Sequence, residues 1–214
     1  MAQQVRREEE TMKKVVKFGG SSLASAGQFK KVGDIIHADC ARRYVVPSAP
    51  GKRFPADTKV TDMLYDCYRA AVTGKDFSQK LKNIKDRYQE IIDGLSLTLS
   101  LDSEFDKIEE QFRAGAGEDY AASRGEYLNG IVMAAYLGCT YIDAAEVIFF
   151  DENGNFLAEK TDQVLSERLE KEERAVIPGF YGSKPDGSVK TFSRGGSDIT
   201  GSIVAKAVHA DVYE

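Results

Sequence analysis

The sequence has no apolar stretch approaching the roughly 18 residues needed to cross a bilayer, and its polar N-terminus lacks the apolar core of a secretory signal. A cytoplasmic protein with no membrane partner is expected. Cysteine is scarce: Cys40, Cys67 and Cys139 are odd in number and far apart, without the paired spacing of a disulfide framework or zinc site. They read as reduced, mostly structural thiols. Histidine is scarcer still. His37 and His209 give a histidine metal site or a Ser/His/Asp nucleophile little to draw on, and both read as surface or helix-end residues; no protein metal site is expected. Basic charge is also in deficit, with 29 Lys and Arg against 34 Asp and Glu. Nucleic acid, which is bound by neutralising phosphates with a basic face, is therefore not an expected partner. No G-x-x-x-x-G-K-[ST] occurs and no G-x-G-x-x-G follows the first apolar run. That argues against a Walker-type nucleoside triphosphatase and against a dinucleotide dehydrogenase.

What is present suits a globular chain: 214 residues, 42% hydrophobic and 29% charged, form one domain or one large piece of one. The most informative segment is Val15-Val16-Lys17-Phe18-Gly19-Gly20-Ser21-Ser22. An apolar run feeding a glycine pair predicts a strand turning sharply into a helix, and without Cβ atoms Gly19 and Gly20 let an anion approach backbone N–H donors. Lys17 puts a compact positive charge where phosphoryl oxygens would lie, and Ser21 and Ser22 add donors and a start for the next helix. The same residues also suit a tight turn with no ligand. A second glycine pair lies in Phe192-Ser193-Arg194-Gly195-Gly196-Ser197-Asp198, followed at helical spacing by Ile199, Ile203, Val204, Ala207 and Val208. That pattern makes Ser197 an N-cap. Two such loops at the C-terminal ends of strands in one α/β sheet can converge on a single anionic ligand.

Between the loops the pattern alternates strands and helices. Phe29, Val32, Gly33, Ile36 and Cys40 have helical spacing, and residues 44–48 read as the next strand, so a parallel pair with a right-handed crossover is predicted. Residues 49–59, with two prolines and alternating charges, read as a loop with the composition to be mobile over the site. Residues 61–117 are mostly helical, with Leu81, Ile84, Tyr88, Ile91, Ile92, Ile108 and Phe112 as core and the acids of 102–110 as a solvated face. A further helix is expected at 120–137, strands at 141–143 and 147–150, a hairpin turn at Asn153-Gly154, a helix at 161–173, a strand at 175–180 and a turn at 185–187. Residues 1–11 are polar, lack apolar periodicity and read as a disordered or mis-assigned N-terminus ahead of a natural start at Met12.

Lys17 to Ser22 followed by Leu23, then Ser123-Arg124-Gly125-Glu126, then Ser193 to Asp198, occur in an order that resembles the aspartokinases of the amino acid kinase family. The likeness runs from about Lys14 to Glu214. It implies an α/β fold, a mostly parallel sheet sandwiched by helices, in truncated form. Residues 12–214 would be the N-terminal, amino-acid-binding part of the kinase catalytic domain, without the strands that hold the nucleotide's base and without the regulatory domains. The implied reaction is phosphoryl transfer from ATP, with Mg²⁺ carried by the nucleotide, to the side-chain carboxylate of L-aspartate. The product is 4-phospho-L-aspartate, the first step toward lysine, threonine and methionine. A carboxylate nucleophile needs no general base, so the shortage of histidine is no objection.

By the resemblance, Lys17, Gly19 and Gly20 contact the transferring phosphate with Ser21 and Ser22 beside them, and Asp198 orients lysine side chains by ion pairing. Lys17 and Asp198 are thus the catalytic candidates. Arg194 would pair with the α-carboxylate of aspartate and Glu126 with its ammonium, while Ser48, Thr61, Phe180 and Ser197 line the amino acid site. Thr61 and Ser197 also suit plain N-caps, and Phe180 suits the core. The full-length form would be a homo-oligomer, and the chain as given an incomplete, inactive catalytic unit. Two alternatives stand beside this: a non-catalytic amino acid or phosphate-binding module, and a relative acting on acetylglutamate, glutamate, carbamate or uridylate. The Ser-Arg-Gly-Glu and Ser-Arg-Gly-Gly-Ser-Asp pair disfavours the second.

Overall fold

A computed structural model describes residues 12–193 and 195–214, so the reading of residues 1–11 lies outside the described residues. The apolar runs around Val15 and Val45 form β1 (Lys14–Phe18) and β2 (Arg42–Pro47), which pair in parallel with Val16 opposite Val45. β3 (Thr140–Tyr141) and β4 (Ala175–Val176) extend the sheet beyond β2. β5 (Tyr181–Ser183) and β6 (Val189–Thr191) form a separate antiparallel hairpin over the expected 185–187 turn. β7 (Val212–Tyr213) closes the other edge, giving a parallel five-stranded sheet of order β3-β4-β2-β1-β7.

Successive side chains leave a strand on opposite faces, which divides the core in two. Val16, Val45 and Val176 face one cluster; Val15, Tyr44, Val46 and Ala175 face the other. The first is completed by α1 (Ala26–His37), α2 (Val60–Val72), α3 (Ser78–Gly94), α4 (Asp102–Arg113) and α5 (Glu118–Leu137). The second takes α6 (Ala144–Val147), α7 (Ala158–Leu169) and α8 (Gly196–Ala207). Helices therefore cover both faces of a parallel sheet, the architecture that the family resemblance implies. The predicted stripe Leu81, Ile84, Tyr88, Ile91 and Ile92 is buried on α3, and Ile108 and Phe112 on α4. Cys67 is buried, Cys139 half-buried and Cys40, beyond the end of α1, exposed; all three are free. His37 ends α1 and His209 follows α8, both exposed.

Several boundaries differ from expectation for identifiable reasons. The strand predicted at 141–143 ends at Tyr141, because the Asp143 carboxylate accepts the Ala145 N–H at 3.0 Å and caps α6. That helix takes in Val147, so of the strand predicted at 147–150 only bridges at Phe149 and Phe150 remain. The Asn153-Gly154 turn is present, with Gly154 at φ 83° and Phe150 bridged to Phe156. β4 stops at Val176, yet the Ile177 and Gly179 N–H groups still donate to Val45 and Pro47 carbonyls at 3.0 and 3.1 Å, carrying the backbone alongside β2 to Phe180. Of the apolar residues at helical spacing after the second glycine pair, Ile199 is 37% exposed, whereas Val204, Ala207 and Val208 are buried.

Leu64 on α2 has no exposed surface and sits in the first cluster. Leu64→Ala is expected to lower stability by about 2–5 kcal/mol, measured by urea denaturation, because the vacated volume is enclosed by helices that cannot fully collapse into it. A loss under about 1 kcal/mol would show that this layer is loosely packed.

Candidate active site

The C-terminal ends of β1, β2 and β4 lie side by side, and the chain leaves each through a loop. Lys17 is the penultimate residue of β1, and its ammonium is 2.7 Å from the Asp198 carboxylate at the start of α8. After Phe18 the chain turns at Gly19 into a single 3₁₀ turn, Gly20–Leu23. The following helix begins later than expected: Ser25, not Ser21 or Ser22, caps α1, its hydroxyl accepting the Gln28 N–H at 3.4 Å. Gly20 is required by proximity. A Cβ there would come within 2.7 Å of the Ala49 carbonyl, and the Gly51 N–H donates to the Gly20 carbonyl at 2.7 Å.

The helix after the second glycine loop starts two positions earlier than expected. Gly195, at φ 64°, occupies the N-cap of α8, and Ser197, expected there, is buried in the first turn. Thr61 likewise lies in the first turn of α2, behind Lys59 at the N-cap. Among the described residues, the first bond of α8 runs from the Ile199 N–H to the Gly195 carbonyl at 2.9 Å, and the N–H groups ahead of it belong to the helix start that offers donors outward. Such a terminus attracts anions. Phe180, at φ 85°, is in the left-handed region that bulky residues avoid. Its N–H donates to Thr200 Oγ1 at 3.0 Å, and its carbonyl accepts the Phe192 N–H at 2.8 Å, which holds it there. Gly179 and Gly196 permit this, since a Cβ on either would come within 2.7 Å of Ser197 or 2.5 Å of the Phe180 ring.

These elements enclose two adjoining cavities. One, of about 330 Å³, is lined by Lys17, Ser48, Lys59, Thr61, Asp62, Glu126, Phe180 and the 195–198 turn. The other, of about 430 Å³, is lined by Gly20, Ser21 and residues 49–52, and shares Ser48, Lys59, Thr61 and Glu126 with the first. The structure thus brings together Lys17, Gly20, Ser21, Ser48, Thr61, Glu126, Phe180, Ser197 and Asp198. Gly19 stands just behind, where a Cβ would lie 3.9 Å from Lys17 Nζ, and Ser22 lines neither cavity. Arg194 lies outside the described residues. Among the described residues no group of three or more His, Cys, Asp or Glu could hold a metal.

Glu126 is the unusual group. It lies in the third turn of α5 and not at its start, it is 6% exposed, and its Oε2 has no hydrogen-bond partner. Burial pushes its carboxyl up to about 7, against the smaller opposing pulls of the Ala49 backbone amide and the Arg124 charge. Arg124 points elsewhere, over the rings of Tyr120, Tyr127 and Tyr181 at 4.5, 4.3 and 5.3 Å. Gly125 lets α5 close on the loop, since a Cβ there would come within 2.7 Å of Ala49 Cβ. The sequence reading missed Lys59, Asp62 and Asn129. Asn129, one turn after Glu126, donates to the Ser48 carbonyl at 2.6 Å and so fixes the loop from the helix. Its three-residue spacing from Glu126 was the available signal.

Comparison with known proteins gives a consistent result. Aspartokinase 3 of Bacillus subtilis (strain 168) is 38% identical over 218 residues, covering 94% of this chain and 47% of that protein. The aspartate kinase of Clostridium acetobutylicum superposes with a TM-score of 0.91 at 51% identity, over 94% of this chain and 46% of that one. E. coli aspartokinase III in complex with aspartate and ADP shares the fold, with a TM-score of 0.78 at 24% identity over 94% and 48% of the two chains. The chain spans about half the length of the curated relatives it matches. Across residues 12–214 it matches the amino acid kinase family, and the chain belongs to that family.

Proposed function

We propose that the cavity binds L-aspartate and presents its side-chain carboxylate to the γ-phosphate of ATP, giving 4-phospho-L-aspartate, the first step toward lysine, threonine and methionine. The observation that carries this reading is Glu126, a residue lining the cavity that holds Lys17, whose buried carboxylate keeps one oxygen without a partner. An uncompensated buried charge is costly, and a substrate ammonium would supply the missing partner. The relatives' names support aspartate as the amino acid. Arg194 is assigned the α-carboxylate on the resemblance alone.

A side-chain carboxylate oxygen of aspartate attacks the γ-phosphorus, the bond from that phosphorus to the bridging oxygen breaks, and ADP departs with the electron pair. No proton moves, because the nucleophile is already ionised at neutral pH. Lys17 and the N–H groups at the start of α8 take up charge on the transferring group, and both glycine loops let it come close. The Lys17–Asp198 pair is partly exposed and adds little to stability, so its value lies in aiming the ammonium. These groups fit phosphate, and Mg²⁺ arriving with the nucleotide would neutralise further charge across its phosphates.

Four outcomes are expected. L-aspartate titrated calorimetrically into the chain binds, and Glu126→Gln weakens it at least about tenfold, as loss of a charged hydrogen bond should. Aspartate affinity falls as pH drops from 8 to 6, because protonation of Glu126 near 7 removes the anion the ammonium needs; a flat profile counts against the assignment. Glu126 also sets stability. Its folded carboxyl, near 7 against an ordinary 4.5, stabilises the fold below pH 4.5 and loses that contribution as pH rises through 7. Glu126→Gln should therefore be more stable than wild type at pH 8, by up to about 3 kcal/mol, and similar to it at pH 4. Thermal denaturation at the two pH values decides. Finally, Lys17→Ala should weaken a phosphonate analogue of aspartyl phosphate at least about tenfold while changing aspartate affinity less than threefold. Equal losses for both ligands would remove Lys17 from the phosphate seat.

A further inference from the structure

Arg87 lies on α3, outside both cavities, and is 3% exposed, although its neighbours on that helix's polar face are solvated. Its guanidinium reaches four places. Nη2 donates to the Gly51 carbonyl at 2.5 Å and to the Ala24 carbonyl, just past the 3₁₀ turn, at 3.4 Å. Nη1 donates to the Thr58 carbonyl at 3.4 Å and pairs with the Asp57 carboxylate at 2.9 Å. Asp57 is gripped again by Arg53, through its backbone N–H and Nε at 2.9 Å each, and is held well below the usual carboxylate range by Arg53 first and by Arg87 with it.

These contacts have one object. Gly51, the residue that Arg87 holds most closely, donates to Gly20 in the phosphate loop, and Val60 at the start of α2 donates to Pro50 at 3.1 Å. The next residue of α3, Tyr88, donates its hydroxyl to the Gly125 carbonyl at 2.7 Å, beside Glu126. One turn of α3 is thus fastened to the loop that walls both cavities and to the helix that carries the buried carboxylate. A buried guanidinium presents donors in a fixed fork, so it can fix the relative positions of several carbonyls where an ammonium would fix one.

We propose that Arg87 is a positioning residue for the site: through Gly51 it sets the distance between the phosphate loop at Gly20 and the wall formed by residues 49–59. The inference rests on the aspartate and phosphate reading above for what the wall contacts, but the positioning itself is testable without it. Arg87→Met and Arg87→Lys in the 214-residue chain would be compared with wild type by amide hydrogen exchange resolved by NMR and by calorimetric titration with L-aspartate. Arg87→Met should accelerate exchange of the Gly51 amide at least about tenfold, leave the protected amides of α7 unchanged, and weaken aspartate at least about tenfold. Arg87→Lys, which keeps the charge but gathers its donors on a single nitrogen, should recover part of both losses. Unchanged exchange at Gly51, or equal acceleration at Gly51 and in α7, would overturn the proposal, the second by showing only a general contribution to stability. If Arg87→Met does not fold, Arg87→Lys carries the same comparison, with loosening at Gly51 and not in α7 supporting it. Should wild type fail to bind aspartate, the functional reading falls while the exchange data still decide the role of Arg87.

Discussion

The parallel register of β1 on β2 is the constraint on which the rest of the molecule depends. With Val16 opposite Val45, one set of side chains enters the layer of α1–α5 and the alternate set enters the layer of α6–α8. A slip by one residue would exchange the two sets, so both hydrophobic layers enforce the same pairing. That pairing also ends both strands level. Lys17 and Ser48 emerge at one edge, joined by the Ser48 N–H donating to the Phe18 carbonyl at 3.0 Å. A charged residue and a loop some thirty positions away in sequence are made neighbours by apolar side chains that touch no ligand.

On that frame the site is assembled against local preference. A buried, unpartnered carboxylate, a phenylalanine in left-handed backbone and a lysine already paired with an aspartate are each unfavourable or neutral for folding. They persist because the surrounding layers over-determine the backbone at these points: α5 is buried along most of its length, and the Phe180 amide and carbonyl are both satisfied by the 192–200 segment. Stability supplied by the two cores is spent at one edge of the sheet.

Much of this was legible in the sequence, and what was not has physical reasons. The two glycine pairs, the lysine before the first and the helical stripes are local signals, and they located the turn after β1, the α8 terminus and the core of α3. Helix starts were displaced by two to four residues, because serine and threonine signal a cap wherever one is available, whereas Gly195 and Lys59 hold those positions through backbone geometry. The strand expected at 147–150 yielded to a helix once Asp143 capped it. Glu126 could be singled out by resemblance, but its missing partner depends on Ala49 and Gly125 closing over it, contacts remote in sequence. Arg87 gave no signal, since periodicity puts it on a face that water should reach.

The close approaches at Gly20, Gly51, Gly125, Gly179 and Gly196 bear on how such a site can change over evolutionary time. At each, backbone or a Cβ of the facing segment stands where a side chain would have to go, so those walls cannot be moved inward by substitution without moving a strand or a helix. Drift in what the cavities accept is left to side chains that look into both of them from the start of α2, Lys59 and Thr61. Closely related chains that prefer different small anions would then differ at these two positions before they differ at any glycine.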